Sequence, residues 1–503
     1  MLDKLITNRA DSKSIRIEIL AGLTVALALV PEAIAFAFVA GVEPLVGLYA
    51  AFMVGLLTSI FGGRPGMISG ATGGLAVVMV HLVHEHGVQY LFAALVLMGI
   101  IQIAIGVLKL GKLVRMIPHS VMLGFVNGLA IVIFLAQLNQ FKVPGADGSL
   151  VWMTGSTMFT MIGLVALTIA INYTSYKFIK AVPAPLVAIV VITVLVGVFG
   201  IDTKTVGDIA SVGGGLPKFA LPLVPFNFET FKIILPHAII FAVIGLIESL
   251  MTLTLVDEIV ENKGDGNKEC IGQGIANIAN GFFGGMGGCA MIGQSMINVE
   301  SGAKRRLSGI SAALFLLAFI LFGSSLIERI PIAVLVGVMI VVSIATFEWT
   351  SFRIAKSIPK VDLFIILLVS VTTIFVDLAV AVVAGVIVAS LEFAWEKGKR
   401  LDITQYMEGE SKIYALNGAL FFGSVTNLMD TFEVASDVDD VIIDFSHARI
   451  FDHSAIEAIN SVTAKYKKAG KMVHLRNLST DCFAFLQGAI DIMDVNIIDK
   501  EIA

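Results

Sequence analysis

The sequence predicts a mainly α-helical, polytopic membrane domain followed by a small α/β domain. Three observations predict it. The 503 residues are 57% hydrophobic and only 15% charged, with a mean hydropathy of +0.92, whereas an ordinary soluble domain is roughly 25% charged. Apolar runs of about 17–25 residues, the length that crosses about 30 Å of hydrocarbon, recur from Ile17 to Trp395. After Trp395 the texture changes: residues 397–503 carry charges at a soluble protein's frequency and hold no spanning run. The expected division is a membrane domain over residues 1–400 and a soluble domain over 401–503.

The first element sets the topology. A fourteen-span path with the N-terminus inside leaves all but five of the Lys and Arg of residues 1–400 on cytoplasmic segments. The five exceptions are Lys142, Lys204, Lys218, Lys232 and Arg329. That asymmetry satisfies the positive-inside rule and puts the C-terminal domain in the cytoplasm. The overall charge of −5 conceals it. The first apolar segment is too long for a cleavable leader and lacks a small-residue cleavage pattern. Cys270, Cys289 and Cys482 show neither paired nor metal-type spacing.

Glu32 lies within the first span, in "LALVPEAIAFAFVAG", and Glu248 within the eighth, in "FAVIGLIESLMTLTLV". A carboxyl at that depth is costly unless protonated, paired or hydrated, and marks a pathway more often than not. Thr252 is four residues beyond Glu248 and shares its helical face. Together they offer oxygens to a sodium ion, or Glu248 carries a proton; the plain alternative is a carboxyl bonded to a neighbouring helix. For Glu32, just after Pro31, a structural or entrance role is the alternative. Asp377 is expected to cap a helix between the last two spans. Asp257, Glu258 and Glu261 are expected to be solvated at the end of the eighth span, and His81, His84 and His86 to lie in a solvated loop.

The membrane domain contains a repeat. "RMIPHSVMLGFVNGLAIVIF" (115–134) aligns without gaps with "ERIPIAVLVGVMIVVSIATF" (328–347), matching Pro118 with Pro331, Gly124 with Gly337 and Phe134 with Phe347. The halves, about 17–200 and 231–395, hold an odd number of spans each and so enter the bilayer with opposite orientation. Each half also carries a glycine-rich interruption: "GGRPGMISGATGG" (62–74) and "GGMGGCAMIGQSMINVESG" (284–302). Non-helical backbone survives at membrane depth only where protein or a water-filled cavity satisfies it. Each interruption therefore reads as a short extended segment followed by a half-helix, one starting near Ala71–Thr72 and the other near Ala290–Ile292. Facing helix N-termini present unpaired N–H groups and positive dipole ends, an anion site that requires no lysine or arginine. Packing of small residues between helices is the competing reading.

In the tail, β-branched runs "VIIDF" (441–445) and "KMVHL" (471–475) alternate with helical patterns "HSAIEAINSVTAKYKKAG" and "STDCFAFLQGAI", an α/β arrangement.

"PEAIAFA", "ISGATGG", "IESLMT" and "GGCAMIGQSMINVESGAKRRLSG" resemble the first, third, eighth and tenth spans of the SulP (sulfate permease) anion-transporter family. "VIIDFSHARIFDHSAIEAI" resembles the STAS domain that follows them there. The resemblance implies seven-plus-seven inverted repeats, a mobile core moving against a gate, a homodimer, and residence in a bacterial-type inner membrane. It implies an anion pocket formed by Glu32, Phe36, Ala71, Thr72, Ala290, Met291, Ile292 and Gln294. It also implies a Na+ or H+ site at Thr72, Glu248, Thr252 and Ala290, with glutamate where a sodium-coupled branch has aspartate. Gln294 stands where many animal members have arginine. Asp452-His453-Ser454 matches the Asp-x-Ser whose serine is phosphorylated in stand-alone STAS proteins, the alternative being that Ser454 caps a helix.

The chain shows no nucleotide loop, metal cluster or nucleophile–base motif, so no enzyme, no cofactor and no nucleic-acid partner is expected. The expected partners are a small anion (sulfate, bicarbonate or a dicarboxylate), a coupling cation and the lipid bilayer. A nucleobase–proton symporter and an anion channel are the competing functions.

Overall fold

The computed structural model describes residues 12–111, 118–144, 150–178, 183–209, 212–213, 215–376, 378–398, 401–487 and 496–498. The chain forms two compact units, Met1–Gly385 and Val386–Ala503.

The first unit is helical. Its path runs α1 (Ser12–Ala40), α2 (Pro44–Phe61), β1 (Ser69–Gly70), α3 (Gly73–His86), α4 (Val88–Val107), α5 (His119–Gln137), the hairpin β2 (Lys142–Pro144) and β3 (Leu150–Trp152), α6 (Gly155–Phe178) and α7 (Ala184–Phe199). It continues through α8 (Phe228–Val260), α9 (Gly266–Phe283), β4 (Cys289–Ala290), α10 (Ile292–Glu300), α11 (Arg306–Phe322), α12 (Ile332–Thr346), α13 (Lys360–Phe375) and the start of α14 (Leu378–Gly398). Among the described residues, seven helical stretches are long and apolar enough to cross a membrane.

Apolar surface does not distinguish one helix from another in lipid, so small residues decide which helices touch. A Cβ on Gly99 of α4 would lie 2.4 Å from the Gly274 carbonyl oxygen of α9, and one on Gly274 would lie 2.5 Å from the Gly99 oxygen. Gly281 repeats this close crossing against Phe92, and Gly106 against Asn267. Gly47 brings α2 onto α1 at Ala33, and Gly22 brings α1 onto α11 at Ser308. Gly124 of α5 packs on Ile366 and Val369 of α13, whereas Gly337 of α12 packs on Val165 and Thr168 of α6.

Polar residues close the helix ends. The Glu18 carboxylate accepts from the N–H groups of Lys304 (2.8 Å), Arg305 (3.0 Å) and Ser308 (3.2 Å) at the start of α11. The Arg306 guanidinium donates to the carbonyls of Ser59, Ile60 and Gly62 at the end of α2, the favourable sign for a helix C-terminus. Asp257 is not simply solvated: it pairs with the buried Arg64 at 3.2 Å and accepts from the Gly264 N–H. Glu258 and Glu261 are exposed. His81, His84 and His86 are exposed but sit on the last turns of α3 rather than in a loop, with His81 3.4 Å from Glu85. Asp377 lies outside the described residues, as do Lys4, Arg9, Lys112, Arg115, Lys180, Lys399 and Arg400.

The second unit continues α14 into a five-stranded sheet of order β5-β6-β7-β8-β9. The strands are β5 (Asp402–Glu408), β6 (Ser411–Leu420), β7 (Asp440–Ile450), β8 (Met472–Arg476) and β9 (Asn496–Ile498). Only β5 and β6 pair antiparallel; the rest are parallel. Helices α15 (Val425–Thr431), α16 (His453–Lys468) and α17 (Thr480–Gln487) connect them. Alternating β7 residues Val441, Ile443 and Phe445 meet Ile459, Val462 and Tyr466 of α16 in the core. Asp452, not Ser454, caps α16, accepting from the Ala455 N–H. A cap needs extended backbone before the first turn, and Ser454 is already inside the helix. Asp437 accepts from Lys412, Tyr414 and Tyr466. Burial alone would raise its carboxyl; these hydrogen bonds more than offset it and hold it below the usual carboxylate range.

Candidate functional site

Both glycine-rich interruptions contain a two-residue strand, and the strands pair antiparallel, Ser69 with Ala290 and Gly70 with Cys289. A helix follows each at once, so the starts of α3 and α10 are neighbours. Thr72 and Met291 occupy the N-cap positions of α3 and α10, both in extended backbone and neither with a side chain bonded to the helix's first N–H groups. The first intrahelical bonds are Ala76 N–H to Thr72 O and Ser295 N–H to Met291 O. The N–H groups of Gly73, Gly74 and Leu75, and of Ile292, Gly293 and Gln294, thus have no intrahelical acceptor.

A two-residue strand pair is too short to hold itself, and side chains extend it. Asn277 of α9 treats Gly288 as a neighbouring strand would: its Oδ1 accepts from the Gly288 N–H at 3.0 Å and its Nδ2 donates to the Gly288 oxygen at 3.0 Å. Ser295 does the same for Ile68 on the other side, accepting from its N–H at 2.9 Å and donating to its oxygen at 3.2 Å. Ser249 of α8 accepts from the Ala290 N–H at 3.1 Å. Gly288 requires the absence of a side chain, since a Cβ there would lie 2.5 Å from the Gly70 oxygen.

The proposed coupling residues divide. Glu248 approaches the start of α3 so closely that a Cβ on Gly74 would lie 2.2 Å from its Oε1. Its Oε2 accepts from the Cys289 thiol at 2.6 Å, and Cys289 Sγ is also 3.0 Å from Thr72 Oγ1. Thr72, Cys289 and Glu248 therefore form one cluster across α3, β4 and α8. Thr252 is buried on the same helix, and its hydroxyl donates to the Glu248 main-chain oxygen at 2.8 Å. Its free lone pairs, not its proton, remain for a cation.

The proposed pocket residues divide too. Phe36 packs over the start of α3: with Ile133 it closes the space a Cβ on Gly73 would take. Glu32 and Gln294 are both buried and bonded to each other, Gln294 Nε2 donating to the Glu32 carboxylate. Ala71, Ala290 and Met291 are buried. Ile292 is 40% exposed, and a Cβ on Gly293 would meet nothing within 4 Å. The start of α10 is therefore the open one, and the start of α3 is roofed by Phe36, Ile133 and Glu248. Ser454 belongs to the second unit.

Sequence reasoning missed Cys289 as a member of the cluster and the buried polar row of α9. Glu269, Gln273, Asn277 and Asn280 are at most 1% exposed. Gln273 donates to Ser69 and Glu269, and Asn277 to Gln102. Their spacing of four, four and three residues lines one helical face and was available in "ECIGQGIANIAN".

A sequence profile described as the sulfate permease family matches residues 15–369, and one described as the STAS domain matches residues 403–487. The chain is 47% identical to YbaR of Bacillus subtilis, a protein named for sulfate transport, over 93% of this chain and 95% of that one. It is 32% identical to the bicarbonate transporter BicA of Picosynechococcus sp. over 87% and 84% of the two chains. The transmembrane domain of a cyanobacterium BicA matches with a TM-score of 0.64 at 30% identity, covering 74% of this chain and 98% of that one. The murine Solute Carrier 26 family member A9 anion transporter shares the fold over 98% of this chain and 90% of that one, with a TM-score of 0.82 at 16% identity.

Proposed function

The chain belongs to the sulfate permease family, and on that premise we propose that it carries a small oxyanion (sulfate, bicarbonate or a dicarboxylate) across the membrane by alternating access, in symport with H+ or Na+. The observation that carries this reading is the pairing of β1 with β4, which sets the open N-terminus of α10 beside the Thr72–Cys289–Glu248 cluster. The N–H groups of Ile292, Gly293 and Gln294 receive the anion with the helix dipole behind them. Phe36 supplies an apolar wall, and Glu32 fixes the Gln294 amide. Glu248, with Thr72 and the Thr252 lone pairs, takes the cation.

The finer architecture follows the same reading: fourteen spans in two inverted repeats, a membrane domain to residue 400 and a tail from 401. Reciprocal packing supports it. Gly124 seats α5 on α13 and its repeat partner Gly337 seats α12 on α6, which is the exchange a two-fold axis in the membrane plane produces. An antiparallel pair formed by the two interruptions themselves fits an axis passing between them. The distribution of Lys and Arg supports an inner-membrane protein with N-terminus and tail in the cytoplasm, and the family resemblance supports a homodimer.

The test is reconstitution in liposomes with labelled sulfate, bicarbonate and a dicarboxylate, with and without a sodium or proton gradient. Gradient-driven accumulation of at least one anion is expected. Equilibration at channel rates with no accumulation under any gradient would sink the reading.

A further inference from the structure

Residues 219–228, "FALPLVPFNF", are the last part of the connection from α7 into α8 and carry no charge, yet they are not buried. Phe226 is 95% exposed and Leu223 82%, with Phe219, Leu221 and Phe228 also largely open. An apolar run of that kind does not stay in water without a partner. We infer that it is an in-plane anchor lying in the interfacial layer of the bilayer, its partner being the lipid surface.

Chain connectivity sets its depth. Phe228 is the first residue of α8, a 33-residue helix long and apolar enough to span, so Phe226 lies within about 7 Å of a helix mouth. The other end of the run is tied to two more helix mouths. The Ala220 N–H donates to the Phe282 oxygen in the last turn of α9 at 2.8 Å, and the Leu223 N–H donates to Gln89 Oε1 in the first turn of α4 at 2.9 Å. Phe219 stacks on Phe282 with ring centroids 5.5 Å apart. The starts of α8 and α4, both long and apolar enough to span, and the end of α9 bonded beside them thus hold the run at one membrane surface.

The backbone carries few unpaired donors into that layer. Pro222 and Pro225 have no N–H, and the N–H groups of Val224 and Asn227 are met by the oxygens of Pro222 and Pro225. The prolines also prevent the exposed run from pairing as a strand edge with another chain. Lys232, one turn into α8, holds its ammonium 4.8 Å from the Phe228 ring centroid, the posture of a lysine reaching back toward the headgroups. The aromatic residues here are phenylalanines, which lack the polar handle of the interfacial Trp and Tyr belt and suit the apolar face that an in-plane anchor sinks into the headgroup–acyl boundary.

The test uses the full-length protein with Trp152, Trp349 and Trp395 changed to Phe. A single tryptophan is then introduced as Phe226→Trp or, in a separate protein, Leu223→Trp, and reconstituted in phosphatidylcholine liposomes. Lipid brominated near the headgroup end of its chains is expected to quench the emission several-fold more than aqueous iodide does. Stronger quenching by iodide would place the run in water and overturn the inference. Quenching by neither would mean that protein, such as a second copy of the chain, covers it, and would overturn it equally. Two positions guard against one substitution disturbing the fold.

Discussion

Cys289 stands between Thr72 and Glu248, the first conspicuous in the sequence as the start of a half-helix and the second as a carboxyl at membrane depth, yet nothing in "GGCAMIG" sets its thiol apart from a buried core cysteine. Intramembrane carboxyls are legible because they are costly where they lie; a small, weakly polar side chain gives no such signal, and only the pairing of β1 with β4 places it. Cys289→Ala leaves the Thr72 hydroxyl and the Glu248 carboxyl short of a partner. A loss of about 1–3 kcal/mol is expected, seen as a lower melting temperature, while Cys289→Ser keeps a donor and restores most of it. Equal melting of the alanine variant and the wild type would mean the thiol only fills space. Glu248→Gln tests charge instead. An anion beside an ionised carboxylate is repelled, a cation or proton removes the repulsion, and each ligand then favours the other's binding. Uptake in Glu248→Gln is expected to lose its dependence on the cation gradient while anion binding survives. Thr252→Ala is expected to weaken coupling more mildly and chiefly toward sodium, because a proton needs no threonine ligand, whereas sodium can use the lone pairs of a hydroxyl whose proton goes to the Glu248 main-chain oxygen. An unchanged gradient dependence in Glu248→Gln would reduce Glu248 to a packing residue.

At the scale of elements, the glycine-rich interruptions were legible as strand plus short helix, because repeated glycine and polar residues cannot be an ordinary span. What held the strands was not legible. Asn277 and Ser295 each cap both backbone groups of one residue, a long-range pairing that no local pattern encodes. The polar row of α9 did follow a helical spacing and stood open to inspection. Asn277→Ala strands the Gly288 N–H and carbonyl in a buried site, so a destabilisation of about 1–3 kcal/mol is expected. Asn277→Leu, close in volume, is expected to be no better, since shape is not what is lost. Full stability of Asn277→Leu in a thermal melt would show that packing alone fixes the strand. The crossing of α4 on α9 is similarly strict: Gly274→Ala forces a Cβ to within 2.5 Å of the Gly99 oxygen and is expected to lower the melting temperature despite alanine's better helix propensity.

At the scale of the whole molecule, the change of composition after Trp395 marks a membrane domain followed by a tail, and the alternation of strands and helices announced the tail's α/β sheet. The capping residue of α16 was misplaced because Asp452 and Ser454 both suit an N-cap, and only backbone geometry distinguishes them. The tail keeps its own core and its own charge network, so its stability can be read apart from the membrane unit. Burial works to raise Asp437 and Asp444, but hydrogen bonds from Lys412, Tyr414 and Tyr466 to the first, and from Ser446, Asn477 and Arg476 to the second, hold both below the usual carboxylate range. A carboxyl lowered by folding contributes stability in full above its unfolded value, about 3.9, and loses it as pH falls through the folded value. Thermal melts of residues 401–503 are therefore expected to shift downward as pH drops below about 4, with a shallower shift in Asp437→Asn. Every residue assigned to the anion and the cation precedes residue 300, whereas the tail's core lies wholly within 401–486. Deleting residues 402–503 is accordingly expected to lower expression, assembly or regulation and to leave anion affinity in purified protein unchanged. If the truncated protein folds, as judged by its melt and elution profile, but no longer binds any anion that the full chain transports, then the tail contributes to the site and the start of α10 is not where the anion sits.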